Sequence, residues 1–338
     1  MILSLIPHLP SGNCRISRAE LGDDVFGDDP TVNRLQAMAA DRFGKEAALL
    51  VPSGTMANLV SVLVHCPRGT EVILGDKSHT FIYEGGGIAA FGGVHPHPLH
   101  NQGDGTMDTE DIRAAIRVEN DHFPRTRLIA LENTHNKCAG TPLTPEYIAS
   151  VATIAREHQL KLHMDGARIF NAAVALDTSV SDLAKDVDSI SFCMSKGLAA
   201  PVGSVICGTR EFIYEARRVR KALGGGMRQA GILAAAGLVA LDEMIPQIKS
   251  DHANAKILAD GLARLPRFII EPQKIHTNIV YFGMRESSLS ASEIVLRSEE
   301  KGVRFLATGP RQFRMVTHYG VDIRDIRRTI DILKSIGI

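Results

Sequence analysis

The sequence predicts an α/β fold, with a large lobe built on a mainly parallel sheet flanked by helices and a smaller C-terminal α/β lobe. Three observations predict it. Apolar runs of strand length, AALLVP, EVILGD, RLIALE, KLHMDG and SISFCM, alternate with helical or turn segments such as TPEYIASVATIAREH. Within each run the hydrophobicity is continuous rather than alternating, as expected of strands covered on both faces. The pattern then changes near Met227, in a chain of 338 residues with 44% hydrophobic content that can bury more than one core.

The elements follow in order. DDPTVNRLQAMAADRFG reads as a helix with Asp29 as N-cap and Pro30 in the first turn. Val32, Leu35, Ala39 and Phe43 share one face, and Gly44 ends it. The five strands come next, with a further apolar run at Ser204–Cys207. MRQAGILAAAGLVALDEM reads as a long helix leading away from the sheet. It is followed by the helix DHANAKILADGLARL, strands RFIIEP and NIVYFGM, another helix and strand FRMVTH. The expected division is an atypical N-terminal arm over 1–25, a large lobe over 26–245 and a small lobe over 246–338.

Lys plus Arg and Asp plus Glu are 38 each, so the formal net charge is zero. That balance predicts neither a nucleic-acid partner nor a membrane surface. The start MILSLIPHLP lacks a basic n-region, and no apolar run is long enough to span a bilayer, so a cytoplasmic protein is expected. The five cysteines, Cys14, Cys66, Cys138, Cys193 and Cys207, are scattered without a CxxC pair and read as reduced thiols.

Four features lie at strand ends or helix starts, where parallel sheets bind ligands. In VPSGTMANL a strand ends, Ser53-Gly54-Thr55 turn, and a helix begins. This is a phosphate site or an ordinary N-cap. In LHMDGARIF, Asp165 closes a strand and Arg168 follows. They form either a structural ion pair or a carboxylate aimed at a cationic ring nitrogen. In SISFCMSKGLAAPVGSVICG, Lys196 stands between two apolar runs, 31 residues after Asp165. A desolvated lysine there is a nucleophilic amine suited to a Schiff base. The fourth feature is histidine. His79 follows strand EVILGD, while His95, His97 and His100 in HPHPLH read as a solvated strand without a nearby acidic ligand, and no metal is expected. Phosphate turn, histidine, aspartate and lysine, in chain order, describe a pyridoxal 5'-phosphate site.

The segments GDDVFGDDPTVNRL, VPSGTMANL, ENTHN, HMDGARIFNA, SFCMSKGLAAPVGS, GGGMRQAGILAAAG and RMVTH closely resemble the low-specificity L-threonine aldolases, fold-type-I pyridoxal phosphate enzymes. The resemblance runs from Ala19 to the C-terminus. It implies cleavage of L-threonine, L-allo-threonine and related β-hydroxy-α-amino acids to glycine and an aldehyde, in a homotetramer with active sites between paired subunits. It also implies roles for single residues. Lys196 is the Schiff-base lysine, Gly54 and Thr55 hold the phosphate, and His79 stacks on the pyridine ring. Asp165 pairs with the ring nitrogen, and Arg168 and Arg314 hold the substrate carboxylate. His122 is a second active-site histidine facing the β-hydroxyl, and Arg228 contacts the phosphate of a neighbouring subunit. Two departures stand out. The family's DLRSDT-type opening is replaced by MILSLIPHLPSGNCRISRAELG, in which Ser4 is the candidate substitute, and Phe26 stands where the family often carries tyrosine. Another fold-type-I lyase acting by β-elimination, or a cofactor-binding homologue with little turnover, are the alternative readings.

Overall fold

The computed structural model describes residues 16–336; Ser4, Cys14 and the rest of the atypical opening lie outside the described residues. Two sheets organise the chain. The large one contains β1 (Ala47–Val51), β2 (Glu71–Gly75), β3 (His95–Leu99), β4 (Thr126–Glu132), β5 (Lys161–Asp165), β6 (Ser189–Cys193) and β7 (Ser204–Gly208), in the order β1-β7-β6-β5-β4-β2-β3. Strands β3, β2, β4, β5 and β6 run parallel, and β7 is antiparallel to both β6 and β1. Every residue of β2, β6 and β7 is buried, which explains why these runs carry no polar alternation. β3 is one of the two edge strands and is partly solvated.

The second sheet contains β8 (Phe268–Ile269), β9 (Ile279–Met284), β10 (Leu306–Gly309) and β11 (Gln312–Val316), all antiparallel in the order β10-β11-β9-β8. It has its own core of stacked and edge-to-face phenylalanines around Phe282 and Phe313. Two details differ from the sequence expectation. RFIIEP contributes only two strand residues. Strand β10 gave no sequence signal because it is a half-exposed edge without an apolar run.

The first helix, Pro30–Phe43, forms as its sequence dictates. Asp29 Oδ1 accepts from the N–H groups of Thr31 and Val32 at 3.1 and 3.0 Å, and Gly44 ends the helix in the left-handed region at φ 61°. The same carboxylate reaches across the fold, its Oδ2 accepting from Gly231 N–H at 2.8 Å. One aspartate therefore satisfies donors at the starts of two helices. The second of these, Gly231–Glu243, does not lead away from the sheet as its composition suggested. It is buried along nearly its whole length and joins the large core beside Leu35 and Met194. Alanine and glycine are frequent there because a helix packed on several sides needs small contact residues.

Candidate active site

A cavity of about 320 Å³ lies beyond the C-terminal ends of β5 and β6, lined among others by Gly54, Thr55, Asn58, His79, Glu84, Asp165 and Lys196. The chain brings these groups together through four local devices. The first is the start of helix Gly54–His65, where Ser53 Oγ accepts from Met56 N–H at 3.2 Å and leaves the earlier amides for an incoming acceptor. A Cβ on residue 54 would stand 2.8 Å from Cys193 Sγ, so glycine is required for this turn to approach β6.

The second device is the end of β5. Asp165 is buried, its Oδ1 accepting from Ala167 N–H at 3.0 Å and its Oδ2 from Asn58 Nδ2 at 2.8 Å. The third is the β6–β7 connection. Lys196 stands half-buried just past β6, where the two antiparallel strands are joined outside the sheet. A cation can sit between two buried strands because the link between them loops out into the cavity.

The fourth is His79, at the start of the short helix His79–Ile82. Glu132 Oε2 accepts from its backbone N–H at 2.7 Å and so pins the turn. His79 Nδ1 and Glu84 Oε1 are 2.8 Å apart, and this hydrogen bond, opposed by burial, raises the His79 pKa above its ordinary value. Asp165 adds to the rise and the Lys196 cation opposes it, which places both charges close to the imidazole. Burial raises the Glu84 pKa as well. The pair therefore holds a proton more tightly than either group does in water.

Arg168 forms no ion pair with Asp165 among the described residues. Burial, reinforced by the Arg314 guanidinium, pushes the Arg168 pKa down to about 10. The Nε atoms of both arginines are buried without a hydrogen-bond partner. Two like charges with unsatisfied donors are what a carboxylate would complete.

Four expected site residues do not line the cavity: Arg168 and Arg314, just described, and two that are exposed. His122 is exposed in a turn before β4, its backbone N–H held by Asn120 Oδ1 at 2.9 Å, at the end of the strand opposite the cavity. Arg228 is exposed, 2.7 Å from Asp23 Oδ2 and 5.5 Å above the Phe26 ring. Phe26 itself is exposed and belongs to that cluster.

The HPHPLH histidines also need a correction, because an acidic partner does exist. The fully buried Glu71 of β2 lies 3.2 Å from His97 Nδ1 and also meets Arg117 and Thr126, while His100 meets Asp76. Parallel pairing of β2 with β3 creates this contact, which chain order cannot show. His79, Glu84 and Asp165 have ligand atoms within 4.8 Å of one another. The Asn58 amide donates to both carboxylates.

Sequence reasoning missed Asn58, Glu84 and Glu132. Asn58 had a legible signal, standing four residues after Gly54 on the same helix face. Glu84 follows His79 by five residues across a break in helical structure and had none.

A sequence profile of the beta-eliminating lyase family matches residues 13–285. Low-specificity L-threonine aldolase 1 of Arabidopsis thaliana is 49% identical over 321 residues, 94% of this chain and 90% of that protein. The chain belongs to the low-specificity L-threonine aldolase family. The low specificity L-threonine aldolase of Escherichia coli K12 is 43% identical over 303 residues, 90% of this chain and 88% of that protein. Two solved structures share the fold at lower identity. The threonine aldolase of Leishmania major has a TM-score of 0.82 at 19% identity, covering 98% of each chain. A putative L-allo-threonine aldolase of Listeria monocytogenes has a TM-score of 0.81 at 18% identity, covering 97% of this chain and 93% of that one. The fold is that of the fold-type-I pyridoxal phosphate enzymes. Among the described residues no single helix is long and apolar enough to cross a membrane.

Proposed function

We propose that this protein is a pyridoxal phosphate-dependent lyase that cleaves L-threonine, L-allo-threonine and related β-hydroxy-α-amino acids to glycine and an aldehyde. The observation that carries the reading is one cavity lined by a helix start, a strand-end aspartate and a strand-end lysine. The cavity fits the cofactor. Gly54 and Thr55 offer amides and a hydroxyl to a phosphate, Asp165 offers a carboxylate to a ring nitrogen, and Lys196 offers an amine to the cofactor aldehyde. When bound, the cofactor supplies an electron sink for the bond between Cα and Cβ.

The chain's own residues do the rest. Asp165 would hold a proton on the ring nitrogen and so keep the sink strong. His79, which lines the same cavity, would face the ring. With Nδ1 committed to Glu84, its Nε2 is the nitrogen free to exchange a proton with the cavity. Arg168 and Arg314 orient the substrate by its carboxylate, a bidentate grip that lysine cannot reproduce. His122 and Arg228 are exposed in this chain, which supports a reading in which paired subunits of a homotetramer complete each other's sites. In the same reading residues 26–245 form the large cofactor-binding lobe, residues 246–338 the small one, and the protein works in the cytoplasm.

The description of the matching family favours β-elimination as a second reading. One experiment separates them. The protein is loaded with pyridoxal phosphate, reduced with borohydride and mapped by peptide, and the unreduced protein is assayed with L-threonine. The expected results are a pyridoxyl label on Lys196 and release of acetaldehyde with glycine. A label on another lysine overturns the site, and an α-keto acid product overturns the aldolase reading.

A further inference from the structure

Asn58 is 2% exposed and uses its entire hydrogen-bonding capacity. Its Nδ2 donates to Glu84 Oε1 and to Asp165 Oδ2, each at 2.8 Å. Its Oδ1 accepts from Ser191 Oγ at 3.0 Å and faces His163 Nε2 at 3.4 Å. Two donors and two acceptors are all that an amide side chain offers. Turning the amide over would set its oxygen against two carboxylates and its NH₂ against two donors, so only one orientation is tenable.

The orientation propagates. Because Asn58 Oδ1 can only accept, His163 must carry its proton on Nε2. His163 Nδ1 is then an acceptor, and the Ser189 hydroxyl 2.8 Å away must donate to it. The Ser189 oxygen is left to accept, and His65 Nε2 at 2.8 Å must donate. Every donor in the series His65, Ser189, His163, Asn58 therefore points toward Asp165 and Glu84. Burial holds both imidazoles neutral, pushing the His163 pKa down to about 4 and the His65 pKa down to about 3.

We propose that Asn58 is a positioning residue for the cofactor site, its amide locked by the directed chain from His65 through Ser189 and His163 so that Asp165 and Glu84 are clamped as paired acceptors. The inference rests on the cofactor reading given above. Ser189 opens β6 and Cys193 closes it, so the chain reaches roughly 13 Å along the sheet from the cavity, at about 3.3 Å per residue.

The test has two arms. In the first, nitrogen-15 NMR of the histidine rings is recorded on the cofactor-free protein. His65 and His163 are expected as Nε2–H tautomers, and Ser189→Ala is expected to mix the His163 tautomers. A His163 proton found on Nδ1 in the parent overturns the chain, whatever the cofactor turns out to be. In the second arm, pyridoxal phosphate is titrated into the parent, Asn58→Ala and Ser189→Ala while its visible absorbance is followed. Asn58→Ala is expected to raise Kd at least tenfold and Ser189→Ala at least twofold, each with a shifted band. Parental Kd and spectrum in both variants overturn the proposal while leaving the cofactor reading intact, whereas no binding by the parent overturns the cofactor reading itself. If Asn58→Ala does not fold, Ser189→Ala alone decides, because it removes one oxygen far from the cavity.

Discussion

His79 Nδ1 stands 2.8 Å from Glu84 Oε1, and the same oxygen accepts from Asn58 at 2.8 Å. A carboxylate bonded from two sides fixes which face of the imidazole the cavity meets. It also makes His79 and Glu84 a pair that favours holding a proton, since both pKa values lie above their ordinary values.

The pH dependence of that pair has a definite sign. A histidine whose pKa is raised by folding contributes stability that is complete below its unfolded value and is lost as pH rises through the folded one. The raised carboxyl acts in the same direction. Glu84→Gln removes the charge and keeps an acceptor. The cofactor-free parent is expected to exceed this variant by about 1–2 kcal/mol at mildly acidic pH, the scale of one hydrogen bond involving a charged group. The difference should shrink by pH 9. Melting curves at both pH values measure it, and a gap that widens with pH would refute the pairing.

Asp165→Asn should retain the fold and the cofactor yet lose most turnover. Asparagine preserves the shape at the end of β5 but cannot keep a ring nitrogen protonated. A loss of about 3 kcal/mol in transition-state stabilisation, more than a hundredfold in kcat, is the scale of removing one preorganised electrostatic partner. Steady-state assay of threonine cleavage reads it, and kcat within threefold of the parent would contradict the assigned role.

Arg314→Lys tests the carboxylate grip. The Arg314 guanidinium is close enough to lower the Arg168 pKa, and each arginine has a buried Nε lacking a hydrogen-bond partner. Lysine keeps the charge but not the planar fork. The KM for L-threonine is expected to rise about tenfold or more, with kcat changed less. Arg314→Leu should raise KM further without lowering the melting temperature of the ligand-free protein, because it relieves a like-charge contact. A marked loss of stability would show that the arginine is structural.

Asp251 lies in helix Ile248–Ala263 and is fully buried. Burial outweighs its Gln247 contact and pushes its pKa from 3.8 up to about 7. Raised by folding, this acid costs nothing while protonated in both states and destabilises progressively as pH climbs between those two values. Asp251→Asn should therefore be more stable than the parent at pH 8, by a few kcal/mol on the order of the linkage expected for such a shift. It should match the parent near pH 4. Denaturant titrations at the two pH values decide it.

How much of this was legible beforehand differs from residue to residue. Asp29, Pro30 and Gly44 bound the first helix through local rules, and the strands β1, β2, β4, β5, β6 and β7 declare themselves as apolar runs. Gly54, Asp165 and Lys196 were legible as site candidates because each sits where a run ends, and the ends of parallel strands share one edge of a sheet. These signals arise from backbone geometry and burial acting within a few residues, so the linear order retains them.

Contacts between distant segments were decided elsewhere. Glu84 meets His79, Asn58 bridges to Asp165 across 107 positions, and Glu71 finds His97 only after β2 and β3 pair. The helix Gly231–Glu243, apolar all round, was read as departing from the sheet and instead packs beneath it, with Asp29 at its start. His122 and Arg228 matched the pattern of the family yet stand exposed, outside the cavity of their own chain. The reason is common to all of them. Local propensity and hydrophobic period specify which residues are buried. Which buried polar groups become partners depends on strand order and helix packing, because an unsatisfied group in the interior costs about 1–3 kcal/mol and only the assembled fold can supply its partner.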